Sequence, residues 1–118
     1  MQSLVSRIEK TVLRPQPILK FTTGRLISEI GRLERLLEQA AAANRARYEE
    51  LYAEQNAALR AAASRGEDLA SVKVPRLFSV KHDYVVRDQL RYLLALRLQL
   101  CRSELSRRRR ARNRNARR

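Results

Sequence analysis

Hydrophobic residues recur at helical spacing at the N-terminus of the chain. Within residues 3–14 one helical face carries Leu4, Val5, Ile8 and Val12, and the basic residues lie off that face. Pro15 and Pro17 then interrupt the helix, because proline lacks an N–H donor and disfavours helical geometry in the residue before it. The pattern predicts a short amphipathic helix followed by an extended, proline-containing arm over residues 15–22.

A second and much longer apolar pattern follows the arm. Thr22 or Thr23 can cap a helix that meets no proline before Gly66, which predicts a helix over residues 24–64. Its first half has a 4-3-4-3 seam typical of coiled coils, formed by Leu26, Ile30, Leu33, Leu37 and Ala40. The seam falters at Asn44 and resumes one position over, with Tyr48 and Tyr52 on it, so these tyrosines are expected to pack in a core.

Gly66 is a natural residue to end the long helix, and residues 65–82 read as a loop. A third helix is expected over residues 83–106, with a wide apolar arc that includes Leu90, Leu93, Leu94 and Leu98. The predicted fold is therefore all-α. Residues 1–22 form the N-terminal helix and arm, residues 23–106 form a long antiparallel helical hairpin, and residues 107–118 form a tail.

Charge changes the picture at the C-terminus. The chain has a net charge of +14, and residues 107–118 contain eight arginines and no acidic residue. Such a run repels itself, so the tail is expected to be disordered until an anion neutralises it. Guanidinium groups bind phosphates in bidentate fashion, which favours RNA as the partner. The predicted RNA-binding residues are Arg107, Arg108, Arg109, Arg110, Arg112, Arg114, Arg117 and Arg118.

Further RNA contacts are expected from basic residues of the loop and from one tyrosine of the third helix: Lys73, Arg76, Lys81 and Tyr92. Tyr92 points away from the apolar arc, where it can stack on a base. Competing interpretations of the basic tail are a nuclear or nucleolar address, a solubilising extension, DNA packaging and an acidic membrane surface. Nothing in the tail specifies a nucleotide sequence, so recognition is expected to be of backbone and shape.

Arg97 falls within the apolar arc of the third helix. A buried arginine needs a counter-charge, so an ion pair with an acidic residue of the long helix is predicted. The alternative is that this face meets RNA or another protein.

The sequence offers little for catalysis. His82 is the single histidine and reads as a loop or cap residue, and Cys101 lies in a leucine-rich stripe and reads as a small core residue. No triad, dyad or metal-ligand set has credible spacing, and no stretch is long and apolar enough to span a membrane. A non-enzymatic protein without a cofactor, metal or small-molecule substrate is expected.

At the level of class, the arginine-rich tail, the proline-containing arm over 15–22 and the long hairpin resemble the small, basic, helical accessory proteins of ribosomes, especially mitochondrial ones. The resemblance implies a structural role in which the hairpin docks on neighbouring proteins and the arginines neutralise rRNA phosphates. The basic amphipathic N-terminus also resembles a short mitochondrial targeting segment, which favours the matrix over the cytoplasm, nucleus or nucleolus. The alternatives are a coiled-coil adaptor or assembly subunit, for example of a respiratory complex, and a DNA-binding or nucleoid protein.

Overall fold

The computed structural model describes residues 3–68 and 85–116, and these ranges contain helices and no strands. Helix α1 spans Leu4–Leu13, α2 spans Thr23–Ser64 and α3 spans Asp88–Ala116. A short 3-10 helix at Ile18–Lys20 lies between α1 and α2. The predicted all-α class and the first two helices are confirmed.

Local chemistry sets the ends of the first two helices. The Ser3 hydroxyl accepts a hydrogen bond from the Ser6 N–H, and the Thr22 hydroxyl accepts one from the Arg25 N–H at 3.1 Å, so each side chain satisfies a free donor of the first turn. Gly66 has a φ of 71° and follows the end of α2. The N–H groups of Gly66 and Glu67 bond to carbonyls of the last turn at 3.1 and 3.0 Å, which is the Schellman arrangement.

The chain divides into two compact units. The first unit contains Met1–Ala40 and Asp88–Arg118, within which α1 and the 3-10 helix both contact α3. Its core is formed by Ile8, Phe21, Leu26, Leu33, Leu36, Ala40, Leu94, Leu98, Cys101 and Leu105. Ile8 is fully buried, so α1 is an integral part of this unit.

The second unit contains Ala41–Arg87, and its described residues include the second half of α2. Asn44 is buried there and holds the backbone of Val86 with both ends of its amide. Its Nδ2 donates to the Val86 carbonyl at 3.0 Å, and its Oδ1 accepts from the Val86 N–H at 2.9 Å. The residue at which the apolar seam falters is thus a specific polar link between α2 and the segment before α3.

The predicted bounds of the third helix and the disorder of the tail are wrong. Residues 85–87 are not helical, α3 starts at Asp88, and it continues without interruption to Ala116. Arginine and alanine are strong helix formers, and a helix already nucleated by packing adds residues at little cost. Arginines near the C-terminus of a helix also interact favourably with its dipole. The helix propensity, the helix propagation and the dipole interaction together outweigh the mutual repulsion of the arginines, which was the reason for predicting disorder.

Two smaller expectations also need correction. The arm is only partly extended, because residues 18–20 form the 3-10 helix between extended Pro17 and Phe21. Tyr48 and Tyr52 are not core residues: they are 39% and 44% exposed, and their rings stack on each other with centroids 6.2 Å apart. Of the predicted loop, only residues 65–68 are described, and His82 lies outside the described residues.

Candidate nucleic-acid interface

The last three turns of α3 present arginines around the helix. Arg109, Arg110, Arg112 and Arg114 are exposed, and within the described part of the chain none of them forms an ion pair. Because α3 is helical here, these guanidinium groups project from a regular helical backbone. The segment places concentrated, uncompensated positive charge on the surface.

Arg107 and Arg108 differ from the other tail arginines because both bind Glu104. The Glu104 carboxylate accepts hydrogen bonds from Arg107 Nη2 at 2.6 Å and from Arg108 Nε at 2.9 Å. These two bonds lower the pKa of Glu104 to about 2, and the same carboxylate raises the pKa of Arg107. Glu104 therefore remains charged at any physiological pH and anchors both arginines on the first turn of the basic run.

Arg108 also ties α3 to the N-terminal segment. Its Nη1 donates to the Phe21 carbonyl at 2.8 Å, and its Nη2 lies 3.4 Å from the Leu19 carbonyl. The side chain is only one-fifth exposed. Within the first unit, Arg108 thus joins α3 to the backbone that leads into α2, and its guanidinium is largely occupied by the protein itself.

Most of the remaining predicted RNA-binding residues lie outside the described residues, and Tyr92 lies on the surface of α3. Lys73, Arg76, Lys81, Arg117 and Arg118 lie outside the described residues. Tyr92 is 68% exposed, as predicted, but lies 18 residues before Arg110, or about 27 Å along the helix axis. Tyr92 and the arginine run are therefore separate contact points.

Several leucines of α3 are exposed, although a wide buried arc was predicted. Leu94 and Leu98 are buried, Leu90 is half-buried, and Leu93, Leu96 and Leu100 are 36%, 38% and 51% exposed. The exposed leucines begin a series with heptad spacing along one face of α3: Leu93, Leu96, Leu100, Ser103, Arg107, Arg110 and Arg114. We call this face the leucine–arginine stripe. It is apolar in its first half and basic in its second.

The predicted core seam on α2 is partly correct. Leu26 and Leu33 are buried, Ile30 and Leu37 are half-buried, and Leu36 takes a core position that the 4-3-4-3 spacing does not include. Cys101 is fully buried, as predicted, and burial raises the pKa of its thiol.

The first unit also contains a basic cavity that the sequence did not indicate. Its volume is about 570 Å³, and its basic lining residues are Arg7, Lys10, Arg14, Arg25, Arg32 and Arg97. Of the acidic residues that the structure describes, Glu29 faces the same space. Basic residues do recur at helical spacing on α1 and at the start of α2. That spacing does not by itself show that the two basic faces line one cavity.

Arg97 is the buried member of this lining. It is 8% exposed, its Nη2 donates to the Gln16 carbonyl at 3.0 Å, and its Nε is 3.9 Å from Glu29 Oε1. The predicted ion pair with an acidic residue of the long helix is confirmed. The pair is loose, and the buried Nε has no hydrogen-bond partner within the described residues.

Metal binding and membrane insertion find no support in the part of the chain that the structure describes. No described group of three or more His, Cys, Asp or Glu side chains is placed to hold a metal ion. Within the ranges that the structure covers, no helix has the length and apolarity needed to cross a lipid bilayer.

Comparison of the chain with protein-family models, with curated proteins and with solved structures found no match.

Proposed function

We propose that this protein is a non-enzymatic structural component of a ribonucleoprotein, most simply of a mitochondrial ribosome, which binds rRNA through the C-terminal turns of α3. The observation that carries the proposal is a group of exposed arginines that form no ion pair with any described residue, on one continuous helix: Arg109, Arg110, Arg112 and Arg114. Uncompensated guanidinium groups at this density attract a polyanion and release its counterions. Their arrangement around the helix suits the phosphates of a folded RNA that surround it.

The same proposal assigns the first half of the leucine–arginine stripe to a protein neighbour. Leu93, Leu96 and Leu100 are exposed at the spacing by which one helix packs on another. Two copies of α3 do not complement each other here. Parallel pairing brings arginines against arginines, and antiparallel pairing brings arginines against leucines. A different protein is therefore the expected partner, with α2 and α3 acting as an antiparallel hairpin that docks on it.

A coiled-coil adaptor or assembly subunit is the second candidate function, and the exposed leucines favour it specifically. In that case the arginines contact acidic residues that continue the partner's helix. The two candidates differ in what the arginines bind, and RNA is preferred because the basic run surrounds the helix and is not confined to the stripe.

Mitochondrial placement is supported by the basic amphipathic character of α1. Ile8 of α1 is buried in the first unit, so removal of this helix would open the core. We therefore propose that α1 is retained in the working protein. The cytoplasm and the nucleus or nucleolus remain the alternatives.

The binding test uses a tail variant that carries Arg110→Gln, Arg112→Gln and Arg114→Gln. Its matched control carries Arg35→Gln, Arg45→Gln and Arg60→Gln on exposed positions of α2, so both variants lose the same charge. Binding to a labelled single-stranded RNA is measured by fluorescence anisotropy over a series of salt concentrations. Three lost phosphate contacts should reduce the slope of log affinity against log salt by about 2 in the tail variant only.

Equal slopes for the two variants would show that net charge, and not the C-terminal turns of α3, determines binding. Equal affinity of the unsubstituted protein, here called the parent, for RNA and for duplex DNA of the same length would favour the DNA-binding alternative. In cells, a tagged copy should sediment with a ribosomal subunit and move to light fractions after ribonuclease treatment. A light species that ribonuclease does not change would instead support the adaptor.

A further inference from the structure

We propose that the cavity of the first unit is a phosphate-binding site, separate from the arginines at the end of α3. Three helices supply its charge: Arg7, Lys10 and Arg14 come from α1 and its C-cap, Arg25 and Arg32 from α2, and Arg97 from α3. The cavity has a volume of about 570 Å³, within the range of pockets that bind small molecules.

The charges lining the cavity do not balance. Among the described residues, six basic side chains and one carboxylate, that of Glu29, line the cavity. That carboxylate is already engaged by Arg32, which donates from Nε to Oε2 at 3.1 Å and from Nη2 to Oε1 at 2.5 Å. Like charges gathered around one concave space repel more strongly than charges spread over a flat surface. A bound anion would remove this repulsion.

Arg97 adds a buried and incompletely paired charge to the cavity lining. More than nine-tenths of its surface is buried, and its Nε lacks a hydrogen-bond acceptor within the described residues. Buried charged donors are normally satisfied, and an orphan among them calls for an explanation. Glu29 lies 3.9 Å from this atom and is held by Arg32. An anion in the cavity would offset the Arg97 charge, which Glu29 compensates only in part because Arg32 binds the same carboxylate.

Helix geometry explains why the basic groups converge. Arg7, Lys10 and Arg14 are spaced three and four residues apart, so they project from one face of α1. Arg25 and Arg32 are seven residues apart and share a face of α2. Thr11 joins the two faces, because its hydroxyl accepts a hydrogen bond from Arg32 Nη1 at 3.0 Å. The cavity is therefore built into the packing of the unit.

The chemistry of the lining favours phosphate over other anions. Arginine groups that approach from several directions suit an ion with several acceptor oxygens and more than one negative charge. The aromatic ring in the lining, Phe21, is already covered by Arg25, whose guanidinium carbon lies 4.6 Å from the ring centroid. Base stacking is thus disfavoured, and recognition falls on the phosphate group itself.

The phosphate group can belong to an RNA strand or to a small phosphorylated molecule. The RNA source rests on the function proposed above and would make the cavity a second anchor for the same strand. The small-molecule source does not depend on that function. The experiment therefore has one arm for each source.

The first arm measures the melting temperature of the full chain in sodium phosphate and in sodium chloride of equal ionic strength. The cavity variant carries Lys10→Gln and Arg14→Gln, both at exposed positions where the fold should survive. The control variant carries Arg45→Gln and Arg60→Gln, which lose the same charge in the second unit. Phosphate should raise the melting temperature of the parent and the control, and the rise should be lost or much reduced in the cavity variant.

The second arm repeats the salt titration with single-stranded RNA. If RNA is the source, the cavity variant should lose about 1.4 from the slope of log affinity against log salt, while the control variant keeps the parent slope. A phosphate effect without this slope change supports the site and assigns it to a small phosphorylated molecule.

Two results separate the failure of this proposal from the failure of the proposed function. If phosphate shifts all three proteins equally and the slope does not change, the cavity proposal is overturned, whatever the tail variant does. If the tail variant binds RNA like the parent while the cavity variant alone loses the phosphate effect, the proposed function fails and the cavity remains a phosphate site.

Discussion

Replacing Asn44 by alanine tests the best-defined polar link in the second unit. Asn44 makes two hydrogen bonds to the backbone of Val86, at 3.0 and 2.9 Å, and Val86 is fully buried. Asn44→Ala leaves a buried N–H and a buried carbonyl without partners, at about 1–3 kcal/mol each. Alanine returns about half a kcal/mol of helix propensity. The expected loss of stability is roughly 2–5 kcal/mol, or about 10 °C or more in melting temperature for a chain of this size.

Thermal unfolding followed by far-ultraviolet circular dichroism measures this loss. Asn56→Ala is the matched control, because it gives α2 the same gain in helix propensity at a half-buried position twelve residues further on. The control should melt at or slightly above the parent temperature. If Asn44→Ala melts with the control, the two hydrogen bonds contribute nothing net and the segment before α3 is held by other contacts.

Three further predictions concern the first unit and α3. Hydrogen bonds from the neighbouring arginines lower the pKa of Glu104 from its ordinary 4.5 to about 2, so its contribution to stability is complete above about 4.5 and is lost as the pH falls toward 2. Glu104→Gln should therefore melt below the parent at neutral pH and together with it near pH 2, and a constant gap would contradict this. Cys101 is fully buried and its thiol pKa is raised by burial, so iodoacetamide should alkylate it far more slowly in the native chain than in urea. Similar rates would mean that the unit opens readily. Leu96→Asp should leave the circular dichroism spectrum unchanged and weaken binding of the protein partner. Leu33→Asp should instead unfold the first unit, because it buries an unpaired charge. Unchanged partner binding by Leu96→Asp would show that the leucine–arginine stripe is not a docking face.

The ends of the first two helices are the part of the fold that local sequence predicted well. The hydroxyl at Thr22, the prolines after α1 and the glycine at position 66 each act within a few residues of themselves. Their effects need no knowledge of the rest of the chain. Charge composition likewise indicated an arginine-rich surface, because charged side chains stay on the surface in nearly every fold.

The helical state of the basic tail was not predicted, because the composition of the run shows its repulsion but neither its helix propensity nor the contacts that a helix creates. Arg108 reaches the Phe21 carbonyl, and Glu104 neutralises the first two arginines of the run. Composition counts only the repulsion among arginines. It cannot include a carboxylate whose position relative to them is set by a helix that packing has already formed.

Which of the apolar residues are buried was also decided by tertiary contacts. Periodicity places Leu36 beside the predicted seam and Leu100 within a wide apolar arc, yet Leu36 is buried and Leu100 is half exposed. A helix with apolar residues on more than one side offers several faces, and its neighbours select among them.

The sequence by itself determined the class of fold, the ends of the first two helices and the concentration of arginine near the C-terminus, because each follows from interactions between residues close along the chain. Only the tertiary structure decided which acidic residue lies beside Arg97, namely Glu29, that Asn44 holds Val86, and that basic faces of α1 and α2 line one cavity with Arg97. These features join residues that lie far apart along the chain. Their pairing depends on how helices pack, which local spacing does not encode.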